Sequence, residues 1–484
     1  MKTRILIIFV LYIQHIFAQN ATDYLRFSQS NYTIGTARSS ALSGAFGALG
    51  ADFSSLSTNP AGMGLYKKSD IMITPSINLN SVRSDFKLYS IEDNKSNFNI
   101  SNFGIVLTAN NNPNRWNHIQ FGVGVNRIAD FNTNTSITAY NYNTSLISIF
   151  QDNSFNVYPG NLDPFSTNLA WNTFLLLDTI TTSHGLEYIS DLNDGGTKQY
   201  KDINQSGSIN EWLFSLSGSF EDKVYLGASI GIPVLKFKED SYYSEVDDAD
   251  TINYFNQFEY NSYLKTSGKG FNFKLGVIVR PIDWFKIGLA FHSPTYYNLN
   301  DEYGTTMTSY WDTPPVVNGY TRYSDSSGTV TYDYSIISPM KVIGSIGFNI
   351  QKIALIDFDF ELVDYSSGNI EENGVDYSDI NKSIANGYTT CLNIRGGAEI
   401  NLNPVFVRLG GAYFGSPYKS VINDGTSYQF SGGLGFKMDN LYFDLAYIKN
   451  VFHENYYLYD PGWIDPAKLT KNSNRLIITL GAKF

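Results

Sequence analysis

Short segments in which every second residue is apolar recur along this chain, and they recur in pairs. LFSLSGSF (213–220) and VYLGASIGI (224–232) are separated only by EDK, and FNFKLGVIV (271–279) and WFKIGLAFH (284–292) only by RPID. KVIGSIGFNI (341–350) leads into IALIDFDFELVDY (353–365), LNIRGGAEI (392–400) into VFVRLGGAY (405–413), and YQFSGGLGFK (428–437) through MDN into LYFDLAYIKN (441–450). Period two is the signature of a strand, and two such runs across a tight turn form a hairpin. The faces separate cleanly. Ile356, Phe358, Phe360 and Leu362 share one side of a strand, and Asp357, Asp359 and Glu361 share the other. Upstream, Ile71, Ile73, Ile77 and Leu79 alternate with Met72, Thr74, Ser76 and Asn78. Hairpin after hairpin builds an all-β, antiparallel sheet.

Two architectures satisfy this pattern. A soluble sandwich points its apolar face inward, whereas a membrane barrel points it at lipid and keeps polar residues around a lumen. Four features favour the barrel. The first is an apparent export leader: Lys2 and Arg4 precede an apolar run from Ile5 to Ile13, and Ile16-Phe17-Ala18 closes it, so cleavage is expected after Ala18. The second is composition, with aromatics at 15% and charged residues at only 16%. The third is strand length near ten residues with short turns on one side and long polar connections on the other. The long connections are expected at 133–210, 238–268, 293–338, 365–388 and 414–427. The fourth is the end of the chain. NRLIITLGAKF alternates and finishes on Phe484, resembling the signal by which the barrel assembly machinery recognises outer-membrane barrels. Pro75, in the first strand, cannot donate to a ladder and is expected to weaken pairing locally.

Charge and motif content exclude several classes of function. A net charge of −11 argues against nucleic acid as a partner. One cysteine, Cys391, rules out an internal disulfide framework. His118, His184, His292 and His453 have no metal-ligand spacing, and EDSYYSEVDDAD (239–250) lacks the glycine and terminal glutamate of a calcium loop. GKGFNFKLG (268–276) enters a strand instead of a helix, so it cannot cradle phosphate as a helix-capping loop does. There is no nucleophile elbow. Asp357, Asp359 and Glu361 are the most concentrated carboxylates. Facing a lumen with Arg395 and Arg408, they read as a structural charge network and not as catalytic acids. No enzyme activity, metal or cofactor is expected.

Residues 40–64, SALSGAFGALGADFSSLSTNPAGMG, pose a different problem. Leu42, Phe46, Leu49 and Phe53 have the spacing of a helical face, yet Gly44, Gly47 and Gly50 each cost about 1 kcal/mol relative to Ala in a free helix. Such a segment needs outside support, and its small residues permit close approach to whatever provides it. ARSSALSGAFGALGADFSSLSTNPAGMGLY (37–66) resembles the amino-terminal region of FadL/OmpP1/TodX-type outer-membrane transporters, in the form common in Bacteroidetes. KLGVIVRPIDWFKIGLAFHSPTYY (274–297), DFDFELVDYS (357–366), NIRGGAEI (393–400) and GGLGFKMDNLYFDLAYI (432–448) extend the resemblance along nearly the whole exported chain.

The resemblance implies a transmembrane antiparallel β-barrel of about 14 strands with a lumenal hatch of short helices. It divides the chain into a leader (1–18), a hatch (19–70) and a barrel (71–484). Asn59, Pro60 and Ala61 match the family's hatch motif, while Gly44, Gly47, Gly50, Leu42 and Phe46 would pack the hatch. It further implies passive uptake of a hydrophobic small molecule, of fatty-acid or hydrocarbon type, by lumenal binding and lateral release into lipid. The competing reading is a barrel of the same kind used as a scaffold or cargo acceptor in type IX secretion. An apolar lumenal cavity of several hundred Å³ favours transport, and a filled lumen favours the scaffold. A closed barrel has no free edge, so a monomer is expected.

Overall fold

The computed structural model describes residues 21–484 apart from 30, 31, 34, 111–114, 193–194, 352, 373 and 420–422. The expected leader and its cleavage point lie outside the described residues. Eighteen strand segments join one hydrogen-bonded sheet. Four continue a preceding segment after a short break, so the wall is a closed antiparallel barrel of 14 strands. In chain order these are β1 (Asp70–Phe86), β2 (Tyr89–Asn110), β3 (Trp116–Asp130, continued by Thr133–Asn141), β4 (Thr197–Phe220), β5 (Val224–Val246) and β6 (Phe255–Ile282). Then follow β7 (Phe285–His292, continued by Tyr296–Trp311), β8 (Arg322–Ile337, continued by Lys341–Ile350) and β9 (Ala354–Asp364, with Asn369–Glu371 beyond it). The last five are β10 (Thr390–Asn401), β11 (Val405–Phe414), β12 (Ser427–Met438), β13 (Leu441–Tyr456) and β14 (Ala467–Lys483). Each strand pairs with its neighbour, and β14 closes on β1 from Asp70 opposite Lys483 to Asp85 opposite Lys468.

The alternation has the inverted sense. Ile71, Ile73, Ile77 and Leu79 are exposed on β1, while Met72, Thr74, Ser76 and Asn78 between them are buried. Phe358, Phe360 and Leu362 are exposed on β9, while Asp357, Asp359 and Glu361 are buried. A sheet that buries its carboxylates and exposes its leucines is solvated by hydrocarbon, and a closed ladder pairs wall amides with carbonyls of neighbouring strands in place of water. Aromatic pairs gather at the turn end, where Trp116 meets Phe220 at 5.5 Å and Trp284 stacks on Phe348 at 6.2 Å between ring centres. Tyr413 and Tyr428, 5.5 Å apart, mark the far side of the belt. Among the described residues no helix is long and apolar enough to cross a membrane.

Two expected loops are instead mostly strand. β5 runs to Val246 and β6 starts at Phe255, so 238–268 is largely a ladder; 293–338 is largely the outer parts of β7 and β8. Beyond the lipid belt the outward face turns polar and only scattered apolar residues such as Phe237, Phe258 and Leu299 point inward, so the regular alternation of the belt is lost even though the backbone pairing continues. The long connection between β3 and β4 does carry structure of its own. Helices α3 (Leu146–Asn153) and α4 (Thr167–Asn172) and the hairpin Asp178–Thr181/Leu186–Ile189 bury Ile147, Leu169, Leu176 and Tyr188 against Val82 and Phe86 of the wall. They form an apolar cap at the end opposite the short turns.

Leu289 sits in the middle of the outward belt of β7, 53% exposed, and Leu88 sits at the tip of the β1–β2 turn, 99% exposed. Leu289→Arg is expected to cost about 2–4 kcal/mol, and Leu88→Arg no more than about 1 kcal/mol, in urea unfolding from lipid vesicles.

Candidate functional site

The described residues between 21 and 66 occupy the lumen. Helix α2 (Ala37–Ala41) is capped by Thr36, whose hydroxyl accepts the Ser39 N–H. The apolar spacing through Leu49 does not continue the helix. Gly44 and Gly50 have φ of 78° and 66°, and the chain turns at each. Leu42, Phe46 and Leu49 form one cluster, while Phe53 joins Leu56, Met63 and Tyr66 in another. Two 3₁₀ turns follow, Phe53–Leu56 capped by Asp52 and Pro60–Leu65 capped by Asn59, with Pro60 in the first-turn position where its missing N–H costs nothing.

Asn59, Pro60 and Ala61 lie flat on the wall. The Asn59 side chain accepts the Ala61 N–H at 3.2 Å and donates to the Gly47 carbonyl at 2.7 Å. Wall glycines make this approach possible. A Cβ at Gly276 would stand 2.0 Å from Asn59 Oδ1, and one at Gly227 would stand 2.3 Å from the Pro60 carbonyl carbon. Gly47 is equally confined, since a Cβ there would meet Ser345 Oγ at 1.9 Å. The sequence reading identified the glycines of the segment but not their partners in the wall. The signal was present: Gly227, Gly276 and Gly288 fall on three adjacent strands, at positions where a lumen-facing side chain would project.

The acidic residues divide into two groups. Asp359 accepts the N–H groups of Phe46 at 2.9 Å and Gly47 at 3.1 Å, and Asp357 accepts that of Ala48 at 3.2 Å. Three successive amides thus point at two wall carboxylates. Glu361 instead pairs with Arg395 at 2.9 Å and accepts from Asn393 at 2.7 Å. Arg408 is not part of that cluster. It bridges Glu399 at 2.6 Å and Asp444 at 2.5 Å, and Arg38 of the amino-terminal segment joins Glu399 at 2.8 Å. Burial opposes the charge on Arg38, and Glu399 more than offsets it, so the guanidinium is held above its ordinary pKa. Glu399 was missed from sequence, although a turn at 402–404 places it opposite Arg408 by symmetry.

Helix α1 (Ala21–Ser28) crosses the lumen above this layer. Its Tyr24 hydroxyl donates to the Tyr365 carbonyl at 2.9 Å, and Phe27 packs edge-on against Phe237 at 5.6 Å. Between α1 and Thr58 lies a cavity of about 110 Å³. Charged and polar groups line it. Lys274 pairs with Glu211 at 2.5 Å, and His292 Nε2 contacts the Thr58 carbonyl at 2.8 Å. Lys341 lines the same space with no ion-pair partner among the described residues. This cavity is smaller and more polar than the apolar one of several hundred Å³ that would favour transport.

One side of this cavity reaches a break in the wall. β2 and β3 pair only up to Asn102 opposite Asn126. Beyond that point β2 pairs with β1 alone and β3 with β4 alone. The register of β3 shifts between Arg127 and Ala129, and Ile128 and Ala129 face the cavity. Side chains replace the ladder. Asn78 and Asn97 both donate to Asp130 at 3.1 Å, and Lys95 reaches across to Asn204 at 2.5 Å. Outside the break, Phe98 and Ile100 are exposed. Pro75 marks a smaller irregularity, a register shift against β2 where the Thr74 and Thr479 hydroxyls hold each other at 2.8 Å.

Asp359→Ala leaves the Phe46 and Gly47 amides without acceptors, a loss of about 1–3 kcal/mol in local stability. Amide hydrogen exchange at 46–48 is expected to accelerate at least tenfold while the barrel keeps its resistance to SDS at room temperature. Unchanged exchange would show that these amides are held by something else.

No family model matches the sequence, and no curated protein does. Solved structures do match. A FadL homologue from Pseudomonas aeruginosa shares 12% identity at a TM-score of 0.56, with 94% of this chain and 99% of that one covered. The Pseudomonas putida toluene transporter TodX shares 10% at 0.54, covering 95% and 100%. The CymD monoaromatic hydrocarbon channel shares 10% at 0.51, covering 93% and 97%. The latter two are named as a transporter and a channel. At such identities the likeness speaks to the fold, and it runs from end to end: this chain is a membrane barrel of the FadL/TodX-type fold.

Proposed function

We propose that this chain sits in the outer membrane of a Gram-negative cell and passes hydrophobic small molecules passively from the outside into the bilayer, releasing them sideways through the wall. The break between β2 and β3 carries this reading, because it is where the backbone ladder gives way to side chains beside a lumenal cavity. Lateral passage through an intact ladder would strand amides in hydrocarbon, at several kcal/mol each. Here the ladder is already interrupted, and moving Asn78, Asn97 and Asp130 breaks side-chain hydrogen bonds and no ladder bond. The solved proteins of the same fold include a toluene transporter and a monoaromatic hydrocarbon channel, which supports an apolar permeant.

Residues 21–66 act as the hatch. The segment is held by polar contacts, including the Asp359 and Asp357 acceptors and the Arg38–Glu399 pair, which water can replace one at a time. A plug built this way is drawn from the weakly stable end of the structure. A hydrophobic permeant gains about 0.8 kcal/mol per buried CH₂ on leaving water, enough for a modest chain to favour a transiently widened cavity. Phe484, exposed at the turn end, serves recognition by the barrel assembly machinery.

The small polar cavity and the apolar cap favour a second reading, a barrel that holds a protein on its outer surface as a type IX secretion scaffold. Uptake measurements separate the two. Ala129→Trp fills the space behind the break without touching the 46–48 contacts. Cells carrying the wild-type chain are expected to accumulate labelled toluene or a labelled long-chain fatty acid faster than cells lacking it, and Ala129→Trp to remove at least nine-tenths of that difference. Wild-type cells that accumulate neither would exclude uptake of these two compound types and favour the scaffold.

A further inference from the structure

Beyond the lipid belt, β4, β5 and β6 continue outward, and their outer faces change character in two steps. On β5 the exposed apolar residues Leu226 and Ile230 give way to Lys236 and Lys238. On β6, running the other way, Lys269 lies two residues beyond the exposed Phe271, followed by Lys265. Register brings the four lysines into one patch: Lys236 faces Ser267, Lys269 faces Val234, and Lys238 stands directly opposite Lys265. Like charges opposite one another repel. Lys238 and Lys265 each lean on an exposed carboxylate, Asp240 at 2.8 Å and Glu302 at 2.7 Å. Lys236 and Lys269 have no ion-pair partner among the described residues. A basic band at this height meets the charged layer of the leaflet around the barrel.

Directly above the band the wall is concave. One groove of about 1040 Å³ starts at Val234 and Lys269 and includes Asn298 and Asn300. A second, of about 790 Å³, is floored by Tyr200, Tyr242 and Tyr263, with Asp202, Asp240 and Asn261 between them. Tyr200 and Tyr242 pack edge to face at 6.0 Å. Partly exposed tyrosine rings interleaved with carboxylates and amides match the chemistry of a sugar, which offers C–H faces for rings and hydroxyls for Asp and Asn. Acyl chains against the belt, phosphate against the lysines and sugars in the groove are stacked in the order in which one lipid carries them.

The geometry points to a binding site for a phosphorylated glycolipid of the surrounding outer leaflet on the outer face of β4–β6. Its phosphate is held by Lys236, Lys238, Lys265 and Lys269, and its sugars lie over Tyr242 and Tyr263. The inference rests on the outer-membrane placement proposed above and not on the identity of the permeant.

The test uses the full chain purified in mild detergent, with native mass spectrometry reading bound lipid. The probe is rough lipopolysaccharide, with phosphatidylglycerol and the free core oligosaccharide as comparisons. Wild-type protein is expected to retain the glycolipid. The Lys236→Gln/Lys269→Gln pair and Tyr263→Ala are each expected to lower retention at least fivefold, and Lys382→Gln, on an exposed helix far along the chain, to leave it unchanged. SDS resistance at room temperature verifies that each variant is folded. Undiminished retention in the variants overturns the site. Equal retention of phosphatidylglycerol overturns the sugar component, and equal binding of the free oligosaccharide overturns the lipid source. Retention is read without transport, so a chain that holds the glycolipid yet fails the uptake assay loses only the transport reading.

Discussion

Inverted polarity governs the structure. Once the leucines and phenylalanines of the wall face hydrocarbon, period two forces every intervening side chain into the lumen, charges included. Asp357, Asp359, Glu361, Glu399, Asp444, Arg395 and Arg408 are all buried as a result. Buried ions need partners or they destabilise the fold by several kcal/mol each. Some find one another across adjacent strands. Asp357 and Asp359 take amides from the amino-terminal segment, so the wall and the segment that fills it form one electrostatic unit.

This arrangement suits a pathway that must be closed at rest. The lumen contains three layers: the 37–66 segment near the turn end, α1 above it, and the apolar cap formed by α3, α4 and the small hairpin. The first combines hydrogen bonds and ion pairs with small apolar clusters around Leu42 and Phe53, whereas the last is held mainly by apolar burial. The two respond differently to an apolar solute, which competes with the cap for its own contacts but leaves the carboxylate–amide contacts intact. Between the layers, the wall is weakest where β2 parts from β3. Under the uptake proposed above, resting closure and sideways access would be maintained by different bonds.

Much of this was legible in the sequence. Alternation gave the strands of the belt, and the short turns gave their pairing and direction. Asn59, Pro60 and Ala61 were legible as a match to a hatch motif, and folding adds that Asn59 caps the turn Pro60–Leu65. Where alternation faded, the reading failed: outer parts of β5 to β8 carry polar residues outward and only scattered apolar ones inward, and read as loops. The helix expected through Leu42 to Phe53 is broken at Gly44 and Gly50 because positive φ, invisible in an apolar spacing, decides the path there. The break between β2 and β3 was also illegible. Asn78, Asn97 and Asp130 are unremarkable polar residues until the chain is folded. The charge network was half legible: facing residues share parity, but choosing partners requires the register of each hairpin, which only the turn lengths supply.

The wall glycines at 227, 276 and 288 have a consequence for how such barrels diverge. Each leaves a hollow in the wall that one particular segment occupies, to within a methyl group. A stopper transplanted from a distant relative would rattle or collide unless these three positions travelled with it. Inheritance of the two parts is therefore coupled, and the outer strands, free of that constraint, are where related sequences are able to drift and acquire new surfaces.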